Sequence, residues 1–186
     1  MNVLLDCFPA AIEVAGRVYA INADFRNCLR IILAFEDKEL ATLEKQMIAV
    51  DLLYDEAPEN FYEAFRLAVK FLDCGEAQNG QAKQQDRLYS FEHDAKYIYS
   101  AIRQTHGLDL ETVGFLHWWK FNYLFLDLHE DCFFNRIIYY RKKRREGALT
   151  KEEQEYCHAI ADILDLPDEL TETEEAHIEQ FYASLK

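Results

Sequence analysis

Apolar positions along this chain recur mostly at intervals of three and four residues, the period of an amphipathic helix. The exception comes first. Ile12-Glu13-Val14-Ala15-Gly16-Arg17-Val18-Tyr19-Ala20-Ile21 alternates on either side of a glycine, which predicts a short β-hairpin with Gly16 at positive φ in its turn. Asp24 then offers an N-cap, and Phe25, Cys28, Leu29, Ile32 and Phe35 predict a helix over 25–36. Leu40, Leu43, Met47, Val50 and Tyr54 continue the period through a second helix. Pro58 stands near the start of a third, where its missing N–H costs nothing. In that helix Phe61, Phe65, Ala68, Val69 and Leu72 share a face, and Gly75 suits the position just past the end.

Residues 76–87 carry no apolar period and are rich in Gln, which reads as a linker. They separate an N-terminal block, 1–75, from a second block, 88–166, expected to pack on the first. In the second block Phe91, Ala95, Ile98 and Ile102 predict a helix stopping near Gly107, followed by an aromatic helix over 110–128 and another over 132–145. Thr150 and Glu153 form a capping box for a last core helix carrying Tyr156, Ile160, Ile163 and Leu164. Residues 167–186 make an acidic tail with a short helix through Ile178, Phe181 and Tyr182. The expected fold is mainly α: a helical bundle of about six to seven helices with a small N-terminal β-hairpin.

Composition narrows the function more than the fold. With half its residues apolar and 14% aromatic, the chain can build a sizeable core. Its 34 acidic against 20 basic residues give a net charge of −14, which repels nucleic acid and anionic membranes except where cations concentrate. Five widely spaced cysteines with no Cys-x-x-Cys pair read as reduced packing residues of an intracellular protein. The start of the chain lacks the basic, uninterrupted apolar pattern of a signal peptide, and no stretch is long enough to span a bilayer.

Candidate chemistry is sparse. Glu155-x-x-His158 and Glu174-x-x-His177 have the i, i+3 spacing of di-iron bundles, but the core face of the 150–164 helix leaves Glu155, His158 and Asp162 on the wet side, so no metal and no other cofactor is expected. His117 reads as a histidine at the edge of an aromatic core, donating to a carbonyl or carboxylate, rather than as a general base. There is no Gly-rich phosphate loop. Arg141, Lys142, Lys143, Arg144 and Arg145 form a basic run that could touch phosphates. The same run suits a helix C-terminus, and the surplus of acidic residues offers it internal partners. Together these features predict a protein that is not an enzyme.

The densest feature lies at 113–128, Val-Gly-Phe-Leu-His-Trp-Trp-Lys-Phe-Asn-Tyr-Leu-Phe-Leu-Asp-Leu, which holds both tryptophans. Leu116, Trp119, Tyr123 and Leu126 fall on one line and predict a core face. The flanking face of Trp118, Phe121 and Phe125, together with Ile178, Phe181 and Tyr182 of the tail, is the candidate partner surface.

Two segments carry a resemblance. One is Asp24-Phe25-Arg26-Asn27-Cys28-Leu29-Arg30-Ile31-Ile32-Leu33-Ala34-Phe35-Glu36-Asp37; the other runs from Asp94-Ala95-Lys96-Tyr97-Ile98-Tyr99 through Leu116-His117-Trp118-Trp119-Lys120-Phe121. With the helices between them they resemble the phage gene-product-fifteen family of tailed phages and prophages of Gram-positive bacteria, over roughly residues 10–166. The resemblance implies a tail-region protein, chaperone-like, working in the cytoplasm of the bacterial host during virion morphogenesis. Its implied partner is the tape-measure or tail-tube protein, engaged by helix-in-groove contacts. A virion tail or connector component is the alternative, and a nucleic-acid-binding role through 141–145 is a weaker one. The opposed basic and acidic segments also allow self-association.

Overall fold

A computed structural model of the chain describes residues 2–76 and 88–166. The tail residues Ile178, Phe181 and Tyr182, the Glu174/His177 pair and most of the predicted linker lie outside the described residues. Among those described, two strands and eight helices, one of only four residues, confirm a mainly α protein with an N-terminal hairpin.

Two compact units are present. The first gathers residues 2–76 and Gly114–Tyr123. It begins with strands β1 (Ala11–Val14) and β2 (Arg17–Ala20), paired antiparallel with Ala11 opposite Ala20 and Val14 opposite Arg17. The turn takes positive φ at both Ala15 (49°) and Gly16 (81°), the backbone that matches the twist of a two-residue hairpin. Past β2 the chain stays extended. Asn22 donates its N–H to Leu53 O, Asp55 donates to Ala20 O, and the Asn27 amide spans Leu52 O and Asn22 O.

Helix α1 (Phe25–Glu36) starts where predicted, with the Asp24 carboxylate accepting from the Arg26 N–H. Helices α2 (Thr42–Leu53) and α3 (Phe61–Leu72) follow, the latter capped by Asn60. In α2 the apolar period runs further than the burial. Leu43 and Met47 are 58% and 48% exposed, although they share a stripe with the buried Val50 and Tyr54. The reason is positional. Full burial in α1 stops at Ile31 and in α2 begins at Ala49, so the α1–α2 hairpin is fully buried only at the end away from its loop.

The second unit holds residues 88–113 and 124–166. Its elements are α4 (Ala95–His106), closed by Gly107 at φ 65°, then α6 (Phe133–Arg145), α7 (Lys151–Ala159) and α8 (Ala161–Leu164). Thr150 and Glu153 form the predicted capping box. The last predicted helix is broken at Ile160, whose φ of −116° and ψ of 24° leave the helical region. Ile137, Cys157 and Leu164 centre the core, with Tyr97, Tyr140, Leu149, Ile160 and Ile163 against them.

Helix α5 (Trp118–Leu126) contributes its residues through Tyr123 to the first unit and the rest to the second. The sequence division placed all of 88–166 in one block; the chain instead returns to the first unit at Gly114–Tyr123. The predicted aromatic helix over 110–128 is also too long. Leu116 and His117 lie outside the helix, with a β-bridge between His117 and Asp24, and the helix starts directly after it at Trp118.

One polar group organises the second unit. Arg141 is buried and forms a forked pair with the buried Asp94, at 2.6 Å from Nη1 to Oδ2 and 2.9 Å from Nη2 to Oδ1. Its remaining donors reach Leu164 O, Ile163 O and Leu88 O. A guanidinium has five N–H donors in a rigid fork, and this site uses that geometry in a way an ammonium cannot. Arg141→Lys and Asp94→Asn should each cost about 3–5 kcal/mol, because each leaves a buried group without its partner. Urea denaturation measures this; a loss below about 1 kcal/mol would mean that the pair does not hold the unit.

Candidate functional site

The aromatic segment is held in the first unit by main-chain bonds before any side chain is considered. Phe25 N–H donates to Leu116 O (2.9 Å), Trp118 N–H donates to Ala23 O (2.8 Å), and Leu116 N–H reaches the Asp24 carboxylate (3.3 Å). Asp24 therefore caps α1 and also receives a strand-like segment far along the chain.

The two indoles then close the end of α3. Trp118 Nε1–H donates to Leu72 O at 2.8 Å, and Trp119 Nε1–H donates to Phe71 O at 2.7 Å. Carbonyls at a helix C-terminus have no intrahelical donor, and burying them unpaired is costly. Here two adjacent side chains supply two adjacent carbonyls. Cys74 (φ 57°) and Gly75 (φ 77°) turn the chain off the helix, with Gly75 N–H returning to Lys70 O. A Cβ on Gly75 would stand 3.0 Å from Trp119 Cη2, so both its φ and its lack of a side chain are needed.

Around this cap the rings are consumed in packing. Phe121 stacks on Phe25 at 4.9 Å between centroids and on Trp118 at 5.7 Å. Trp118 and Phe121 are 2% and 1% exposed, so these two candidate partner residues are core. In the second unit, Phe125 packs on Tyr89, Phe91 and Phe134 at 5.2, 5.3 and 5.6 Å. The predicted core line holds at Leu116 and Trp119 but not at Leu126, which is 79% exposed.

His117 sits at the aromatic edge, as the sequence suggests. Phe8 stacks on it at 4.9 Å, and Phe71, Phe115 and Trp119 stand edge-on. Its Nδ1 accepts the Trp119 N–H at 3.1 Å, which assigns the ring proton to Nε2, and Nε2 lies 3.0 Å from Pro9 O as donor. Burial lowers its pKa, opposed by the bond to Pro9. The ring is thus held by four aromatic side chains and two main-chain groups, a packing role.

The basic run does not form one patch. Arg141 is buried on Asp94, and a site using it to touch phosphate is ruled out by that burial. Lys143 Nζ lies 2.7 Å from both Glu153 oxygens, Arg144 pairs with Asp165 at 2.7 Å, and Lys142 approaches Glu146 at 4.0 Å. The Lys143 ammonium and the capping N–H of Thr150 hold the Glu153 carboxyl down to about 2. Arg145 is exposed and also takes part in an interaction.

Other candidate chemistry is equally quiet. Glu155, His158 and Asp162 are exposed, as expected, and among the described residues no group of three His, Cys, Asp or Glu could hold a metal ion. The five cysteines are unpaired. Burial pushes the Cys28 thiol well up and the Cys74 thiol up to about 12, with Glu76 and Asp73 adding to the latter, so neither is a ready thiolate. No helix among the described residues is long and apolar enough to cross a membrane.

Sequence reasoning missed the acceptors in these arrangements. Asp94 carried no signal as a partner of Arg141. The carbonyls of Phe71, Leu72 and Ala23 carry none in any sequence, because every residue has one. The unpaired Trp-Trp doublet was the one usable clue, since two indole N–H groups entering a core must find acceptors.

The aromatic centrepiece of the first unit is thus a structural cap, and Arg141, Lys143 and Arg144 of the basic run are paired with the chain's own carboxylates. The model of the Bacteriophage Gp15 protein family matches residues 4–166, and the chain belongs to that family. No curated protein and no solved structure matches it. Family membership makes it a phage protein of the structural and assembly kind, in a family not known as enzymatic.

Two measurements probe the site. Trp118→Phe and Trp119→Phe should each destabilise by at least about 1–3 kcal/mol, the cost of a buried polar group left unpaired. Trp118→Phe should be the worse of the two, because Phe71 O keeps the Cys74 N–H while Leu72 O has only the indole among the bonds described. Equal or negligible losses in chemical denaturation would sink the capping account.

The second concerns pH. The folded protein keeps His117 neutral while the unfolded chain protonates it near 6.5, so its stabilising contribution is complete above that pH and is lost as pH falls below it. The thermal midpoint should drop between pH about 7 and about 5, and His117→Gln, although less stable throughout, should flatten that limb. Parallel pH profiles for the two proteins would refute the assignment.

Proposed function

We propose that the protein is a non-enzymatic tail assembly protein that binds the tape-measure or tail-tube protein in the host cytoplasm and holds it until assembly. The observation that carries this reading is the family match across residues 4–166. The charge supports it: at −14, the chain can keep an apolar, aggregation-prone partner in solution. Helical clients are bound by laying an apolar stripe against an apolar surface. Trp118, Phe121 and Phe125 shape the two cores and so act on the client only indirectly. Ile178, Phe181 and Tyr182 remain candidate contacts in the tail, outside the described residues.

Co-expression tests the proposal. The soluble fraction of the tape-measure protein should rise several-fold when this chain is present, and the two should co-purify. Unchanged solubility of both tape-measure and tube protein would count against it. Purified virions separate the alternative: an assembly factor is absent from them by mass spectrometry, whereas a tail or connector component is present in stoichiometric amount.

A further inference from the structure

At the loop end of the α1–α2 hairpin, helix α2 shows an apolar stripe that its own unit leaves uncovered. Leu43 and Met47 stand one turn apart on α2, and Leu40 before them is half-buried. Such a pair spans one turn of a facing helix. Methionine is also the side chain best able to adapt to differing apolar partners.

The charge around the stripe is one-sided. Asp37, Glu39, Glu44 and Asp51 are exposed. Two of these carboxylates have local roles that leave their charge in place: Asp37 accepts the Glu39 N–H, and Glu44 accepts the Ala41 N–H at the start of α2. The nearby cations are Lys38, which has an interaction of its own, and Lys45. Lys45 is the only basic residue of α2, and its Nζ lies 2.9 Å from Phe35 O, where it caps the end of α1. The exposed face of α2 therefore combines two apolar knobs with a carboxylate rim.

From this we infer that the loop end of the α1–α2 hairpin docks a basic amphipathic helix of a partner protein, with the partner's apolar residues on Leu43 and Met47 and its Lys or Arg residues against Glu44 and Asp51. The inference rests on the reading that the protein engages a helical client, and it names the surface and the chemistry that surface accepts. Opposite charge at the rim raises the association rate and rejects acidic helices, while the apolar pair supplies the contact.

The test uses the full chain and two synthetic amphipathic helices, one of Leu and Lys and one of Leu and Glu, read by fluorescence anisotropy. Wild-type protein should bind the Lys peptide and not the Glu peptide. Leu43→Gln with Met47→Gln keeps the helix propensity and removes the apolar knobs, so it should weaken binding by about tenfold or more. Glu44→Gln with Asp51→Asn keeps the Ala41 hydrogen bond, and it should lower affinity and flatten its salt dependence.

Undiminished binding by the first variant, or equal binding of the two peptides by wild type, overturns the proposal. So does a wild-type dimer in sedimentation that the first variant converts to monomer, since the occupant would then be a second copy. Co-expression keeps the two readings apart. If wild type and the Leu43/Met47 variant solubilise the tape-measure protein equally, the assembly role stands and this surface fails. If only peptide binding responds and the client is unaffected by either, the surface stands and the assembly role fails.

Discussion

Two indole N–H groups on two successive carbonyls decide how the first unit is built. The last turn of α3 must end inside the unit, because Phe71 and Leu72 are both buried there. Their carbonyls cannot be left to water. Trp118 and Trp119 resolve this with bonds of 2.8 and 2.7 Å while filling the same space with ring area. For both indoles to arrive together, the chain before them must be fixed. The bridge at Asp24 and His117 does so, and the ring of His117 holds the Trp119 N–H as well. Gly75 follows from the same requirement, since a larger residue would meet the Trp119 ring. Asp24, Gly75, His117 and the tryptophans are thus one arrangement, assembled from three separated parts of the chain.

The second unit depends on a charge instead. Burying a guanidinium is unfavourable unless its donors are met, and Arg141 meets them with Asp94 and three main-chain carbonyls. Those carbonyls belong to Leu88, Ile163 and Leu164, so one side chain ties the beginning of the unit to the end of α8. The neighbouring cations are exposed or partly exposed, and Lys143 and Arg144 face Glu153 and Asp165. A run that looks uniform as text is therefore divided in space: Arg141 is in a core pair, Lys142, Lys143 and Arg144 are in outer ion pairs, and Arg145 is exposed.

That contrast marks where sequence reasoning succeeds. The hairpin, the Asp24 cap, the end of α4 at Gly107 and the Thr150–Glu153 box are local devices, each written within a few residues. Their physics is short-range and so is their signal. The apolar residues of 110–117 suffice to continue a helix, yet the backbone of Leu116 is bonded to Phe25 and Asp24, and that of Trp118 to Ala23, so α5 starts later than its pattern predicts. Leu43 and Met47 lie on the apolar period of α2 and are exposed, because periodicity reports which residues share a stripe, not how far along the stripe its cover extends. Arg141 reads like its neighbours in the sequence because desolvation is a property of the folded site. Of the candidate site, the packing role of His117 was legible, and the burial of Trp118 and Phe121 was not.

These fates also bear on what kind of binding the protein can perform. Tight protein interfaces lean on Trp, Tyr and Arg seated in well-packed centres. Here both tryptophans are bound to α3, Arg141 is bound to Asp94, and Phe125 sits among three other rings. The exposed large apolar side chains of the described helices are Leu43, Met47 and Leu126, together with the aromatic Tyr62, Phe133 and Tyr139. Contacts of that kind, set in a chain of net charge −14, bury modest area each and dissociate readily as salt or competing surfaces intervene. An assembly factor has to give up its client without chemical energy. Keeping both tryptophans and Arg141 inside the fold is a physical arrangement that suits release, in the proposed assembly role, as much as capture.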